Sequence, residues 1–191
     1  MRRTIIAFLI LSLAACKGER AERVPGAPAT SVPDIALNGS SVDITAGGKK
    51  LHGETRDSGK RKYNVDGGAV AYEVKSGDDD GFKLRTPDGE LLWKVKIAAE
   101  KIKISDNNEN DQPFELKARE GNRTKVFAPG DREVGNVRFD GSRIQVEDSI
   151  GKTLFTIPAT KPSAAYGVLL LDGIPEPERA ILMAEILSRG R

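Results

Sequence analysis

The feature that most constrains this chain is a period-two alternation of apolar and charged residues, which recurs from about residue 41 onwards. In the run LLWKVKI (residues 91–97) the apolar side chains fall on one side and the two lysines on the other. Successive side chains of a strand point to opposite faces, so this pattern indicates half-buried antiparallel strands. Turn dipeptides such as Asp140-Gly141 separate the runs. We therefore predict about 11–12 short strands between residues 41 and 171, a number that favours a barrel or a sandwich.

Part of this pattern repeats. Residues 83–106 align without gaps on residues 125–148, with Lys83 matching Lys125 and Pro87 matching Pro129. A duplicated three-stranded unit accounts for this match, and chance similarity between two strand meanders is the alternative.

The C-terminal end breaks the alternation. Residues 168–171 are a continuous apolar run, which predicts a strand covered on both faces. Glu178 to about Ser188 is predicted as a helix that is apolar around nearly all of its circumference, and such a helix is buried. The predicted fold of residues 41–191 is therefore mainly β, an antiparallel barrel or closed sheet around a buried apolar C-terminal helix.

These strand–turn–strand units, followed by a final apolar helix, resemble the superfamily of tubby C-terminal, LURP-one-like and phospholipid-scramblase domains. The resemblance covers roughly residues 41–188 and lies in the arrangement of elements. It implies twelve strands wrapped around a hydrophobic C-terminal helix. The superfamily has no shared catalytic set, so the resemblance implies no catalytic residue. Tubby domains bind phosphoinositides through basic surface residues, but this sequence contains no matching motif.

The N-terminus predicts an export signal. A basic start at Arg2 and Arg3 precedes a dozen apolar residues, which is too short a run to span a bilayer and is typical of a secretory signal peptide. The run ends in Leu13, Ala14, Ala15 and Cys16, which resembles the lipobox of bacterial lipoproteins. The resemblance implies cleavage after residue 15 and acylation of the Cys16 sulfur, and several acyl chains make a stable anchor. An ordinary signal peptide with an incidental cysteine is the alternative.

The segment that follows is predicted to be a tether. Residues 16–40 combine the anchor with a stretch rich in Pro, Gly, Ala and Ser that shows neither helical nor strand periodicity. Such a stretch buries too little apolar surface to become ordered, so we expect a flexible linker. Lys17 after the cysteine favours retention in the outer membrane, with the domain facing the periplasm.

Composition removes several classes of function. One Cys and one His exclude a Cys-based zinc site and make a His-dependent catalytic triad unlikely to form. Removing Arg2 and Arg3 from the 30 basic residues leaves 28, which equals the 28 acidic residues. A nucleic-acid-binding protein normally has a basic excess, so that class is disfavoured. We expect no catalytic residues, no metal site and no cofactor.

One group of residues is a candidate site. Lys94, Lys96, Lys101 and Lys103 lie on the polar face of two neighbouring predicted strands. Together with Lys83 and Lys125 they predict a basic patch that faces lipid phosphates or other anions. The ordinary solvated face of a half-buried sheet is the alternative.

The functional hypothesis from the sequence is a non-enzymatic binding or structural domain on an envelope lipoprotein. Its partner would be a protein or a lipid-like ligand, in addition to the membrane reached through the anchor. One alternative is a periplasmic lipid-handling protein, which predicts an apolar cavity around Ile181 and Leu182. The other is an enzyme with an unrecognised carboxylate pair, which predicts a polar cleft.

Overall fold

A computed structural model describes residues 28–56, 59–77 and 80–191. Thirteen antiparallel strands form one sheet in this part of the chain, followed by a 3-10 helix and an α-helix. The strands are β1 (Asp34–Asn38), β2 (Ser41–Ala46), β3 (Lys49–Thr55), β4 (Lys60–Val65), β5 (Val70–Ser76), β6 (Phe82–Arg85), β7 (Leu91–Ile97), β8 (Lys101–Ser105), β9 (Phe114–Arg119), β10 (Arg123–Ala128), β11 (Arg132–Phe139), β12 (Arg143–Asp148) and β13 (Thr153–Pro158). The 3-10 helix spans Ala164–Leu170 and the α-helix α1 spans Glu176–Ser188.

The sheet is a simple meander in which each strand pairs with the strand that follows it in the chain. This confirms the prediction of a mainly β, antiparallel fold with a C-terminal helix. The strands β1 and β13 are the two edges, and no pairing joins them within the described residues, so the sheet is not closed by hydrogen bonds.

Two predicted boundaries differ from the structure. The sheet begins at Asp34, inside the predicted linker 16–40, because the short run 34–38 pairs with β2 in spite of its Pro-rich flank. The sheet accordingly has thirteen strands in place of the predicted 11–12. The apolar run 168–171, predicted as a strand, instead belongs mostly to the 3-10 helix, because an apolar run of this length is equally suited to a buried helix.

The helix α1 lies in the core, as predicted. Two prolines flank its first residue, and acidic Glu176 and Glu178 lie in its first turn, where they interact favourably with the helix dipole. Every residue from 178 to 186 is buried, and Ile181 and Leu182 are fully buried.

The sheet curls around this helix. The α-helix contacts β1, β2 and the 3-10 helix, and the 3-10 helix contacts strands β9 to β12. Side chains from β4 and β7 also reach α1 from the inner face of the sheet. Inward apolar residues of the strands therefore form one core with both helices.

The structure supports the duplication predicted from sequence and places a four-stranded unit of similar length before it, although the β2–β3 pairing of that unit has no bulge. Residues 83–106 cover β6 to β8, and residues 125–148 cover β10 to β12. A β-bulge falls at Leu84 in the first copy and at Val126 in the second, 42 residues later. Because β2, β6 and β10 begin at residues 41, 82 and 123, the sheet consists of β1 and three four-stranded units.

The three units can be compared through one cross-strand pair of each in the core. Val95 pairs with Ile104, and Val137 pairs with Val146. The equivalent pair in the first unit is Gly53 with Tyr63. A Cβ atom on Gly53 would lie 2.4 Å from the Tyr63 ring, so the missing side chain provides the space that the ring occupies. The pairs thus fill the same layer of the core with different residues.

Candidate functional site

The four lysines predicted as a basic patch lie together on the outer face of the sheet. Lys94 and Lys96 are on β7, Lys101 and Lys103 are on β8, and Lys96 is directly opposite Lys103 in the register. They alternate with the buried residues of the same strands, which face α1.

One carboxylate offsets part of the charge in half of this patch. Glu115 on β9 lies 3.6 Å from Lys101, 3.4 Å from Lys103 and 2.5 Å from Lys117, measured between ammonium nitrogens and carboxylate oxygens. Partial burial works in the opposite direction, but the hydrogen bond from Lys117 and the charges of Lys117 and Lys101 hold the pKa of Glu115 below its ordinary value. Lys101 and Lys103 therefore belong to an ion-pair cluster.

The other half of the patch faces more lysines. Lys94 is directly opposite Lys83 on β6, and both side chains contact the β8–β9 loop. The Lys83 Nζ donates to Asn108 Oδ1 at 2.9 Å, and the Lys94 Nζ donates to the Asn108 carbonyl. Desolvation and the charges of Lys96 and Lys83 lower the pKa of Lys94. Two ammonium groups thus converge on one uncharged loop residue.

The register extends this pair into rows of like charge across the sheet. One row joins directly opposite lysines on four consecutive strands, namely Lys60, Lys75, Lys83 and Lys94. A second row joins Lys101, Lys117 and Lys125, and a third joins Arg119, Arg123 and Arg138. Like charges directly opposite each other on a sheet are destabilising. Carboxylates offset part of this cost, because Glu73 contacts Lys60, Glu115 contacts Lys101 and Lys117, and Glu133 contacts Lys125. The folding cost is therefore concentrated at Lys75, Lys83 and Lys94, for which we describe no carboxylate contact.

The charges of this region are separated between strands and turns. Strands β4 to β10 contain ten lysines and four arginines but two glutamates, Glu73 and Glu115. The described residues of the six turns that join these strands contain no lysine or arginine. They contain nine carboxylates, at Asp66, Asp80, Asp88, Glu90, Glu100, Asp106, Glu109, Asp111 and Glu120.

We call the outward cations of strands β4 to β10 the basic belt. It consists of Lys60, Lys62, Lys75, Lys83, Arg85, Lys94, Lys96, Lys101, Lys103, Lys117, Arg119, Arg123 and Lys125. The predicted patch is the centre of this belt. The net charge of the chain does not reveal the belt, because acidic residues in the turns at the strand ends balance its cations.

A polar network that sequence reasoning missed lies inside the sheet. Glu185 on α1 is almost fully buried, and its carboxylate accepts hydrogen bonds from Arg61 Nη1 at 2.7 Å, Tyr63 Oη at 2.7 Å and Arg189 Nη1 at 2.6 Å. Burial and the neighbouring Glu185 raise the pKa of Tyr63 far above its ordinary value, so the hydroxyl keeps its proton and donates. The charges in this network are paired within the protein.

A second buried carboxylate occurs two helical turns earlier, where Trp93 Nε1 donates to Glu178. Glu178 and Glu185 are seven residues apart and therefore lie on the same side of α1. This spacing is the signal in the sequence that an apparently apolar helix presents carboxylates to polar partners.

A cavity of about 490 Å³ opens at one end of the sheet, beside the β7–β8 and β9–β10 turns. Its apolar floor includes Ile102, Leu116 and Val137, and its rim includes Lys101 and Arg119 of the basic belt. Its volume is within the range of small-molecule sites.

The cavity around Ile181 and Leu182, which the lipid-handling alternative predicts, has no counterpart among the five cavities that we describe. These have volumes of about 490, 450, 160, 210 and 290 Å³, and neither residue lines any of them. Both side chains are packed within the core.

The predicted lipidation site cannot be placed in this fold. Leu13, Ala14, Ala15 and Cys16, together with the predicted signal peptide 1–15, lie outside the described residues. Within the described ranges, no three His, Cys, Asp or Glu side chains form a group that could hold a metal ion. No helix there is both long and apolar enough to cross a bilayer.

Comparisons with protein-family models, with curated proteins and with solved structures returned no match.

Proposed function

We propose that this chain is a lipid-anchored protein of the bacterial envelope whose β-rich domain binds anionic ligands without catalysing a reaction. The observation that carries the proposal is the separation of charge, with cations on the strands of the belt and acids in the turns between them. Rows of directly opposed cations cost stability. Binding of anions is a function that compensates for this cost.

The environment of the lysines supports the same function. Lys75 and Lys96 are exposed, and Lys83 and Lys94 contact an uncharged asparagine, so the centre of the belt presents ammonium groups to solvent. An ammonium group is a compact point charge that attracts phosphate, sulfate and carboxylate groups alike. We therefore expect the affinity of the belt to depend on the number of negative charges on the ligand more than on their chemical type.

The buried carboxylates support binding over catalysis. Glu178 and Glu185 both accept hydrogen bonds from neighbouring side chains, and Glu185 is enclosed by two arginines and a tyrosine. A general acid or base must reach a substrate. Glu185 lines a cavity of about 290 Å³ together with Arg61 and Arg189, but both of its carboxylate oxygens accept hydrogen bonds from these neighbours and from Tyr63. These contacts favour a structural role in joining α1 to the sheet.

The test uses the full chain with Cys16→Ala, so that no acyl group at residue 16 contributes. The protein is applied to beads coated with dextran sulfate and eluted with increasing salt. We expect the protein to be retained at physiological ionic strength, and the triple variant Lys83→Glu, Lys94→Glu and Lys96→Glu to elute at clearly lower salt.

The matched control reverses three exposed lysines outside the belt, Lys49, Lys50 and Lys152, and changes the net charge by the same amount. We expect it to elute close to the parent protein. Failure of the parent protein to be retained would contradict the proposal. Equal losses in the two triple variants, both folded by circular dichroism, would do the same, because net charge alone would then explain binding.

A further inference from the structure

We infer that the basic belt takes a linear anionic polysaccharide laid across strands β4 to β10. The inference rests on the proposed anion-binding function and adds the shape and the class of the ligand. Three observations carry it: the direction of the cation rows, the position of the acidic turns and the outward side chains between the cations.

The cation rows run across the strands. Opposed residues of an antiparallel pair lie along the hydrogen-bonding direction, with neighbouring strands about 4.8 Å apart. The row Lys60, Lys75, Lys83, Lys94 covers β4 to β7 and ends opposite Ser105 on β8. The row Lys101, Lys117, Lys125 covers β8 to β10 four residues further along β8, about 13 Å away, and the opposed pair Lys96 and Lys103 lies between the two rows, so the track is oblique. Six strand spacings give a track of about 29 Å along the curved sheet. A chain polymer with regularly spaced anions matches such a track.

Acidic turns flank the belt at both ends of the strands. The turns at one end of the belt carry Asp66, Asp88, Glu90, Asp106, Glu109 and Asp111, and the turns at the other end carry Asp80, Glu100 and Glu120. The strand β8 between two of these turns is five residues long, or about 17 Å. That length is about twice the 8 Å screening length at physiological ionic strength.

A flat anionic membrane laid on the belt would therefore also meet both acidic ends. A narrow chain that follows the rows covers fewer of these acidic residues, although it passes Glu100 beside Lys101. The charge pattern thus favours a linear polymer over a lipid surface.

The outward side chains of the belt carry positive charge but form no set of exposed aromatic rings on which nucleic-acid bases could stack. In β4 to β10 as described, Phe127 is the one aromatic residue outside the core and its packing layer, and the Lys117 ammonium covers its ring at 4.6 Å. Proteins that bind single-stranded nucleic acids stack bases on aromatic side chains. The belt lacks that feature, so the observations favour an anionic polysaccharide over a nucleic acid.

The experiment measures the affinity of the full chain with Cys16→Ala for heparin-type oligosaccharides, from the disaccharide to the hexadecasaccharide, by calorimetry. At equal concentration of sulfate groups, we expect the affinity to rise at least tenfold over the series, because only long chains reach across the belt. The salt dependence of binding should steepen in parallel. An affinity that does not depend on chain length would overturn the inference.

A double variant at the two ends of the track tests whether a long ligand uses the whole length of the track. In Lys60→Gln with Lys125→Gln, which lie at the two ends of the track, we expect the hexadecasaccharide to lose at least fivefold in affinity while the disaccharide changes less than twofold. The matched control, Lys49→Gln with Lys50→Gln, should leave both unchanged. Equal losses for long and short chains would contradict a ligand laid across the strands.

Two further probes test the other polyanions. Phosphatidylglycerol vesicles, compared with phosphatidylcholine vesicles, represent a membrane, and a single-stranded oligodeoxynucleotide of matched charge represents a nucleic acid. Binding of either probe as tight as that of the hexadecasaccharide would overturn the inference. Retention on dextran sulfate without any length dependence would overturn this inference alone, whereas loss of retention would overturn the proposed function as well.

Discussion

At the scale of single residues, the interior of the sheet depends on the charged side chain of Glu185. Burying a carboxylate costs several kcal/mol unless hydrogen bonds and opposite charges offset the lost hydration. Arg61, Tyr63 and Arg189 supply those partners from β4 and from the residue that follows α1. The network therefore links the last helix to a strand more than a hundred residues earlier in the chain.

Glu185→Ala leaves Arg61 and Arg189 without their shared partner inside the protein. We expect the free energy of unfolding to fall by about 3–5 kcal/mol, as is typical when one side of a buried ion pair is removed. Tyr63→Phe removes one hydrogen bond and should cost about 1 kcal/mol. Urea unfolding measures both variants. A loss below 1 kcal/mol for Glu185→Ala would show that the buried charge does not hold the helix.

At the scale of strands, the cation rows predict that the sheet is not optimised for its own stability. Replacing Lys83 by Gln removes one charge between Lys75 and Lys94, and the amide can still contact Asn108. We expect the free energy of unfolding to rise by roughly 0.2–1 kcal/mol at low salt. The gain should shrink as salt screens the row.

Lys49→Gln is the matched control for that measurement, because Lys49 is exposed on β3 outside the belt. Its stability should stay close to that of the parent protein. If Lys83→Gln were instead destabilising, the row would contribute to the fold, and its cost could not be used as an argument for ligand binding.

The strands also show how far sequence patterns predict this fold. Alternation predicted the number of strands after residue 41 closely, and it located β7 and β8, because inward and outward residues of these strands differ strongly in polarity. It missed β1, which lies next to prolines and has no strong alternation, and it misassigned residues 168–171, where periodicity does not separate a strand from a buried helix. The sequence comparison did not reveal the resemblance of β2 to β5 to the two later units. Gly53 and Tyr63 take the place of two apolar residues of medium size there.

For the molecule as a whole, net charge was a poor guide to the site. The balance of acids and bases argued against a nucleic-acid partner, but the fold sorts the two signs into different regions. Four lysines of the belt could be predicted because two adjacent strands alternate clearly. The remaining rows depend on register across seven strands, which local sequence does not specify.

The anchor is the other property of the whole molecule. We expect the protein to fractionate with membranes, and Cys16→Ala to be released, because the acyl chains on that sulfur would supply the binding. Both samples are washed at high salt, which removes binding through the belt, and the mass of the mature N-terminus is measured. Retention of Cys16→Ala after the wash, or an unacylated wild-type terminus, would contradict the lipoprotein assignment.

The position of α1 has a consequence for the order in which the domain forms. Neighbouring strands can pair as soon as they are synthesised, since every pairing is between consecutive segments. The interior, however, is filled by residues 164–188, which arrive after all thirteen strands. Until then the inner face of the sheet exposes its apolar side chains, which makes the chain susceptible to proteolysis and to aggregation with other chains. Completion of the fold is thus a late step, and a chain truncated before residue 164 would lack the segment that fills the interior.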